Sequence, residues 1–223
     1  MSLPLRKSRS KGGRSKHRKL AENVWEDLDA QEEEQPTRLE KPFLEKHVDE
    51  PLEDALRRIL GNDKVSVTDE TRLAHAGDKW SANHQPDVVV FAESTADVSK
   101  VLNFAHHNRI PVTTRGAGIG YVGGCVPIQG GIVLSMARMN KILGIYPQDG
   151  VAVVQPGVIT GDLQNAVRDL GWDYPPDPAS LKECTIGGNV ATNAGGPRCL
   201  KYGVTRNYIL GLQIVLANGR VMR

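Results

Sequence analysis

The residues best suited to chemistry are glycines. Residues 113–124 read TTRGAGIGYVGG and hold five glycines in twelve positions, three of them spaced Gly-x-Gly-x-Gly. Repeats of this kind bring backbone amides close to an anion, most often a phosphate. A Rossmann turn needs its glycines to open a helix and an acid some way on for the ribose. Here Gly120 is followed by Tyr121-Val122, a second glycine pair and Pro127, so no helix can run through the stretch. A Walker A loop needs Gly-Lys-Ser/Thr, which is absent. What remains is an irregular loop whose consecutive amides form an anion-binding nest, or a glycine-rich turn that binds nothing. The loop alone leaves both readings open.

A second glycine-rich stretch favours the ligand. Residues 174–203 contain Pro175-Pro176-Asp177-Pro178, then Ile186-Gly187-Gly188-Asn189, then Asn193-Ala194-Gly195-Gly196. Two glycine pairs joined by small residues make a close-packing surface suited to a flat ring lying against backbone.

The elements that must position these stretches follow from periodicity. DVVVFA (87–92) is a buried strand. Ser94 and Asp97 start a helix along which Val98, Val101, Leu102 and Ala105 share a face. IPVTT is the next strand and runs directly into the first glycine loop, so the glycines sit at the C-terminal end of a β-α-β unit, where ligands bind. GIVLSM and GVAVVQPG are further strands separated by a turn-rich connection, and TGDLQNAVRDLG is a helix. YILGLQIVLANGRVMR reads as a strand, an Asn218-Gly219 turn and a return strand. Upstream, DEPLEDALRRILG is a helix stopped by Gly61, DKVSVT is a short strand, and RLAHAGDKW shows no clear period. Parallel and hairpin elements are mixed, so the fold class is α+β.

Composition bounds the rest. The 223 residues are 39% hydrophobic and 24% charged, with a net charge of +2, ordinary for a globular protein. The charge is unevenly placed: the first twenty residues carry eight Lys or Arg and no acid, and residues 21–50 carry eleven Asp or Glu against three Lys or Arg. Residues 1–45 therefore read as a disordered charged tail, 46–85 as a helical lead-in and 86–223 as the binding domain. Cys125, Cys184 and Cys199 are widely spaced and read as small core or loop residues; no metal site is expected. No apolar run approaches a membrane span, and no aromatic-rich or groove-reading motif accompanies the basic tail to suggest nucleic acid. Cytoplasm is the expected compartment, with mitochondrial import through the basic start as the lesser alternative.

Several motifs in order carry a resemblance: Pro86 with the β-α-β unit, the Arg-Gly-Ala-Gly loop, VVQPGV, PPDPAS, IGGNVATNAGG and Tyr202-Gly203. From about Pro86 onward the chain resembles the FAD-binding domain of the vanillyl-alcohol oxidase and p-cresol methylhydroxylase type, in the branch of glycolate oxidase flavin subunits and D-lactate dehydrogenases. The resemblance implies a small β-α-β subdomain plus a mixed-sheet subdomain that together hold FAD. Thr114, Arg115, Gly116, Ala117, Gly118, Ile119, Gly120 and Gly124 would wrap the pyrophosphate; relatives often carry Thr where Ile119 stands. Pro176, Asp177, Ser180, Gly187, Gly188 and Asn189 would run beside the flavin and phosphates, with Asn193 and Gly195 continuing that wall. Asp177 could equally be a turn residue and Asn189 a backbone cap.

The resemblance further implies oxidation of a 2-hydroxy acid of the D-lactate or glycolate type, with hydride passing to flavin N5 and electrons to an acceptor. Some relatives attach FAD covalently through a histidine in the first loop. None lies in residues 113–124, so non-covalent FAD is expected. Relatives continue into a further glycine-rich segment and a substrate domain, so the domain is expected to be C-terminally incomplete. No catalytic residue can be named, and a partner subunit or separate substrate domain is implied. A non-catalytic flavin-binding or partner-binding module is the alternative.

Overall fold

In a computed structural model, residues 1–7, 50–80 and 82–223 are described. Strand β1 (Ser2–Pro4) is short but buries Leu3 completely, a gain of about 2 kcal/mol for a side chain of that size. Strand β2 (Arg6–Lys7) follows. Helix α1 (Leu52–Leu60) starts after Pro51, buries Leu56 and Leu60 on one face, and ends at Gly61, whose φ of 97° a side chain would resist. A 3-10 turn (Asn62–Lys64), strand β3 (Val65–Ser66) and helix α2 (Asp69–Ala74) come next.

The remaining order is β4 (Val88–Phe91), α3 (Thr95–Asn108), β5 (Val112–Arg115), β6 (Ile132–Ser135), β7 (Ile142–Tyr146), β8 (Val151–Val154), α4 (Thr160–Arg168) and β9 (Trp172–Asp173). Helices α5 (Ile186–Thr192) and α6 (Cys199–Tyr202), a 3-10 turn (Thr205–Tyr208) and the hairpin β10 (Ile214–Val215) to β11 (Val221–Met222) complete it.

The described residues fall into two compact units. One comprises residues 50–139 and 213–223. Its four-stranded sheet runs β3-β4-β6-β5, with β4, β6 and β5 parallel and β3 antiparallel to β4. Val88, Val90, Ile132 and Leu134 from the sheet pack with Leu56, Val101 and Ala105 from the helices in one core. Helix α3 is capped by Ser94, whose Oγ accepts from the Asp97 amide at 3.1 Å, as its sequence predicts. Residues 116–131, the β5–β6 connection, hold no regular element.

The other unit comprises residues 1–7 and 140–212. Strand β8 lies between β1 and β7 in an antiparallel sheet, and β2 pairs with β9. Leu3, Leu5, Ala152, Val154, Leu163, Val167, Tyr174 and Ile186 form its core. The fold class is thus α+β with mixed sheets, as expected.

Three local expectations are corrected. The charged tail expected over residues 1–45 does not hold for residues 1–7: Leu3 and Leu5 are apolar enough to be buried, and β1 finds an open edge on β8. Residues 8–49 of that tail lie outside the described residues. The strand read from Tyr208 begins only at Ile214, because Thr205–Tyr208 is a 3-10 turn held by Tyr208 Oη donating to the Tyr202 carbonyl at 2.7 Å. Ile142–Tyr146, read as part of a turn-rich connection, is a strand paired to β8.

Candidate functional site

The first glycine stretch leaves the C-terminal end of β5, an edge strand of the parallel sheet. Thr114 is exposed on that strand and Arg115 is buried at its last position. The Arg115 guanidinium turns inward. It donates to the Gly77 carbonyl, to the Ala74 carbonyl at 3.3 Å and to Cys125 Sγ at 3.4 Å. A Cβ on Gly118, which has φ +73°, would collide with that guanidinium, so glycine is required there on two counts.

Beyond Arg115 the amides are open. Among the described residues, Gly123 alone in residues 116–124 donates its backbone N–H to a protein acceptor, Asp78 Oδ2 at 2.8 Å. A Cβ added to Gly120, Gly123 or Gly124 would meet no atom within 4 Å. The loop therefore offers a run of unpartnered N–H donors over bare backbone, which is what a polyanion needs.

The second stretch lies in the other unit and is built differently. Gln164 of α4 is buried, and its Nε2 donates to the carbonyls of Tyr174 at 3.0 Å and Pro176 at 2.8 Å; its Oε1 accepts from Arg168 at 2.8 Å. These bonds fix the course of Pro175-Pro176-Asp177. The Asp177 carboxylate pairs with Arg198 Nε at 3.0 Å, and Gly196, at φ +115°, passes so close to the Asp177 carbonyl that a Cβ would overlap it. Pro176-Asp177 and Asn193–Gly196 are thereby brought together. Ser180 starts a turn, its carbonyl accepting from Glu183 and Cys184, each at 2.8 Å.

Helix α5 holds the glycine pair of IGGN. Thr185 caps it, its Oγ1 accepting from the Gly188 amide at 3.3 Å. Gly187 sits on Pro156, where a Cβ would lie 2.7 Å from the proline Cβ. Asn189 is buried, and its Nδ2 donates to Thr160 Oγ1 at 2.7 Å, tying α5 to α4. Asn193 takes the left-handed conformation that ends the helix, with φ 50°, and its Oδ1 accepts from the Arg206 amide at 3.0 Å. Gly195 is within 3.4 Å of Cys199 Cβ, measured from an added Cβ.

Two positioning residues escape a reading of the sequence. Gln164 has a partial signal in its i,i+4 spacing to Arg168. Asp78 follows a glycine, as turn residues often do, but nothing in the sequence ties it to Gly123.

Residues 86–223 match the family described as the FAD binding domain. The chain belongs to this family. Its sequence is 42% identical over 173 residues to the glycolate oxidase subunit GlcD of Bacillus subtilis, covering 77% of this chain and 37% of that protein. It is 46% identical over 162 residues to the D-lactate dehydrogenase of Anaerostipes hadrus, covering 72% of this chain and 34% of that protein. The chain thus spans about a third of the length of these relatives. Among solved structures, 4-ethylphenol oxidase from Gulosibacter chungangensis superposes with a TM-score of 0.65 at 29% identity, over 75% of this chain and 33% of that one. Substrate-bound p-cresol methylhydroxylase gives 0.61 at 26% identity, with the same coverage of each chain. The p-cresol methylhydroxylase type of fold and FAD as cofactor are therefore shown, and the open amides of residues 116–124 fit the pyrophosphate of that cofactor. Among the described residues, no helix is long and apolar enough to cross a membrane.

Proposed function

We propose that this chain is the FAD-holding part of an FAD-linked oxidoreductase that acts on a 2-hydroxy acid of the D-lactate or glycolate class. The observation that carries the reading is the glycine loop, with its unpartnered amides over open space in a chain of this family. The glycolate oxidase subunit and the D-lactate dehydrogenase among the relatives support the substrate class.

In this reading Thr114, Arg115, Gly116, Ala117, Gly118, Ile119, Gly120 and Gly124 form the pyrophosphate segment, the open N–H groups beyond Arg115 serving as its donors. Arg115 acts from behind, holding the loop by its carbonyl contacts. Pro176, Asp177, Ser180, Gly187, Gly188, Asn189, Asn193 and Gly195 are the further cofactor-binding residues of this reading, Gln164 and Asn189 fixing the course of their segments from within the core of their own unit. Bound FAD would supply the two-electron redox chemistry, as acceptor of a hydride from the Cα of the hydroxy acid and donor of the electrons to a further acceptor. Residues that take the hydroxyl proton and grip the carboxylate come from a substrate domain or partner subunit. The cofactor is dissociable, since no histidine stands in the loop, and the expected compartment is the cytoplasm.

Titrating FAD into the purified chain and following the quenching of flavin fluorescence tests the core of this reading. Saturable one-to-one binding, with flavin released on denaturation, is the expected result. No binding would remove the reading, and flavin retained on the denatured polypeptide would remove the non-covalent part. Reduction of a dye by D-lactate or glycolate, on adding the substrate domain, tests the reaction.

A further inference from the structure

The segment just before the matched domain does something the loop itself cannot. Residues 74–80 touch the glycine loop at its start, middle and end. Arg115 donates to the carbonyls of Ala74 and Gly77. The Lys79 amide donates to the Gly120 carbonyl at 3.1 Å. Asp78 Oδ2 accepts from the Gly123 amide at 2.8 Å, while its Oδ1 accepts from the Trp80 amide at 2.9 Å and holds its own turn in shape. Both carboxylate oxygens are therefore committed to backbone N–H groups, one on each side of the junction. Trp80 and Tyr121 then meet edge to face across it, ring centroids 5.9 Å apart, although both are largely exposed.

We propose that Asp78 is a positioning residue for the cofactor: a carboxylate staple that fixes the far end of the glycine loop, so that its free amides are already aimed before an anion arrives. The inference rests on the reading that the loop receives the FAD pyrophosphate. A loop with three bare glycine positions loses much conformational freedom on binding, and ordering it beforehand raises affinity with no new contact to the ligand. The charge sign fits a staple better than a ligand contact. Each Asp78 oxygen accepts from a backbone N–H, so the carboxylate acts on the loop and not on the anion.

A matched control exists in the same unit. Asp87 Oδ2 accepts from the Gly131 amide at 2.8 Å, the same bond type and length, at the opposite end of the β5–β6 connection. The experiment uses the full chain and three variants, Asp78→Ala, Asp78→Asn and Asp87→Ala. It measures FAD affinity, melting temperature and hydrogen exchange of the loop amides without FAD. Asp78→Ala is expected to weaken FAD binding about tenfold or more and to speed exchange at Gly123, with the exchange of β4 and β6 unchanged. Asp78→Asn is expected to fall between, because its single amide oxygen can serve only one of the two N–H groups. Asp87→Ala should lower the melting temperature without changing FAD affinity.

Wild-type FAD affinity in Asp78→Ala overturns the inference, as does an equal loss in Asp87→Ala, which would mark a general effect of stability. Should the wild-type chain bind no FAD, the functional reading falls. Loop exchange then still decides the staple: faster exchange in Asp78→Ala upholds it, and unchanged exchange overturns it.

Discussion

The two glycine-rich stretches look alike in sequence and do opposite things with the missing Cβ. Beyond Gly118, which packs on Arg115, the absence of side chains in the first stretch leaves open space: a Cβ at Gly120 or Gly124 would touch nothing, and the amides of those two glycines have no protein acceptor among the described residues. In residues 186–196 the absence of side chains lets chain meet chain. Gly187 rests on Pro156, and Gly196 passes under the Asp177 carbonyl. One stretch leaves its backbone open, and the other lets the protein close on itself. Glycine content alone therefore says nothing about ligand contact; what surrounds the absent Cβ does.

The largest effect that would break this contrast is at Gly196. Alanine there must adopt a φ of +115° and place its Cβ on a carbonyl oxygen. Strain and overpacking together should cost on the order of 3 kcal/mol. A urea-unfolding midpoint for Gly196→Ala close to that of the wild type would show that the second stretch is not close-packed. The next effect, in the same wall, is at Gln164. Gln164→Leu removes the donor from two carbonyls at once and takes one acceptor from Arg168, which keeps its ion pair with Asp173, so about 2 kcal/mol of stability is expected to go. Retention of full stability would mean that Pro176-Asp177 holds its course by other means.

How much of this is legible in the sequence depends on whether the cause is local. Val88–Phe91 and Ile132–Ser135 are apolar runs bounded by Asp, Gly and Ser, and both are strands. Thr95–Asn108 declares its start through Ser94 and its buried face through Val101 and Ala105. Ile186–Thr192 is a helix that local propensity opposes, since Gly-Gly-Asn resists helix. It is held by the Thr185 cap and by the bond from Asn189 to Thr160, a partner 29 residues away. Strand β1 is hidden for a similar reason: its neighbour β8 lies far along the chain, and the surrounding charge masks two leucines. The site behaves likewise. The loop's glycines are visible as a motif, but the inward turn of Arg115 and the reach of Asp78 to Gly123 are contacts across 38 and 45 residues.

The first stretch makes the reverse prediction. Gly120→Ala puts a methyl group into open space, so stability should stay within about 0.5 kcal/mol of the wild type. On the proposed reading FAD affinity should nevertheless fall about tenfold, because the methyl would occupy the face offered to the pyrophosphate. Thermal melts without FAD, alongside fluorescence titration with it, separate the two. A variant that loses stability but keeps its affinity would invert the roles assigned to the two stretches.

The smallest effect uses pH to address only the unit that carries the first stretch. Asp97 is buried, which by itself would raise its pKa. The hydrogen bond from Lys64 at 2.9 Å, the Glu93 amide and the Lys64 charge outweigh that and hold the carboxyl below its usual value. Lys64 is correspondingly raised, first by its hydrogen bond to Asp97. A carboxyl with a folded pKa below its unfolded one contributes stability in full above the unfolded value of about 4, and loses it as pH falls through the lower folded value. The lysine contribution runs the other way: it is complete below about pH 10 and is lost as pH rises through the raised folded value. Over mildly acidic to neutral pH both are present, and the pair is worth about 1 kcal/mol. Asp97→Asn should therefore lower the urea midpoint near neutrality and flatten its fall in acid. The same acid sag in wild type and variant would place the titrating group elsewhere. Because Asp97 holds the Glu93 amide and the start of α3, its protonation loosens the helix that leads into β5 and the glycine loop. Acid should thus weaken FAD binding in the wild type more than in Asp97→Asn, while Gly196→Ala, acting in the other unit, leaves that pH dependence unchanged.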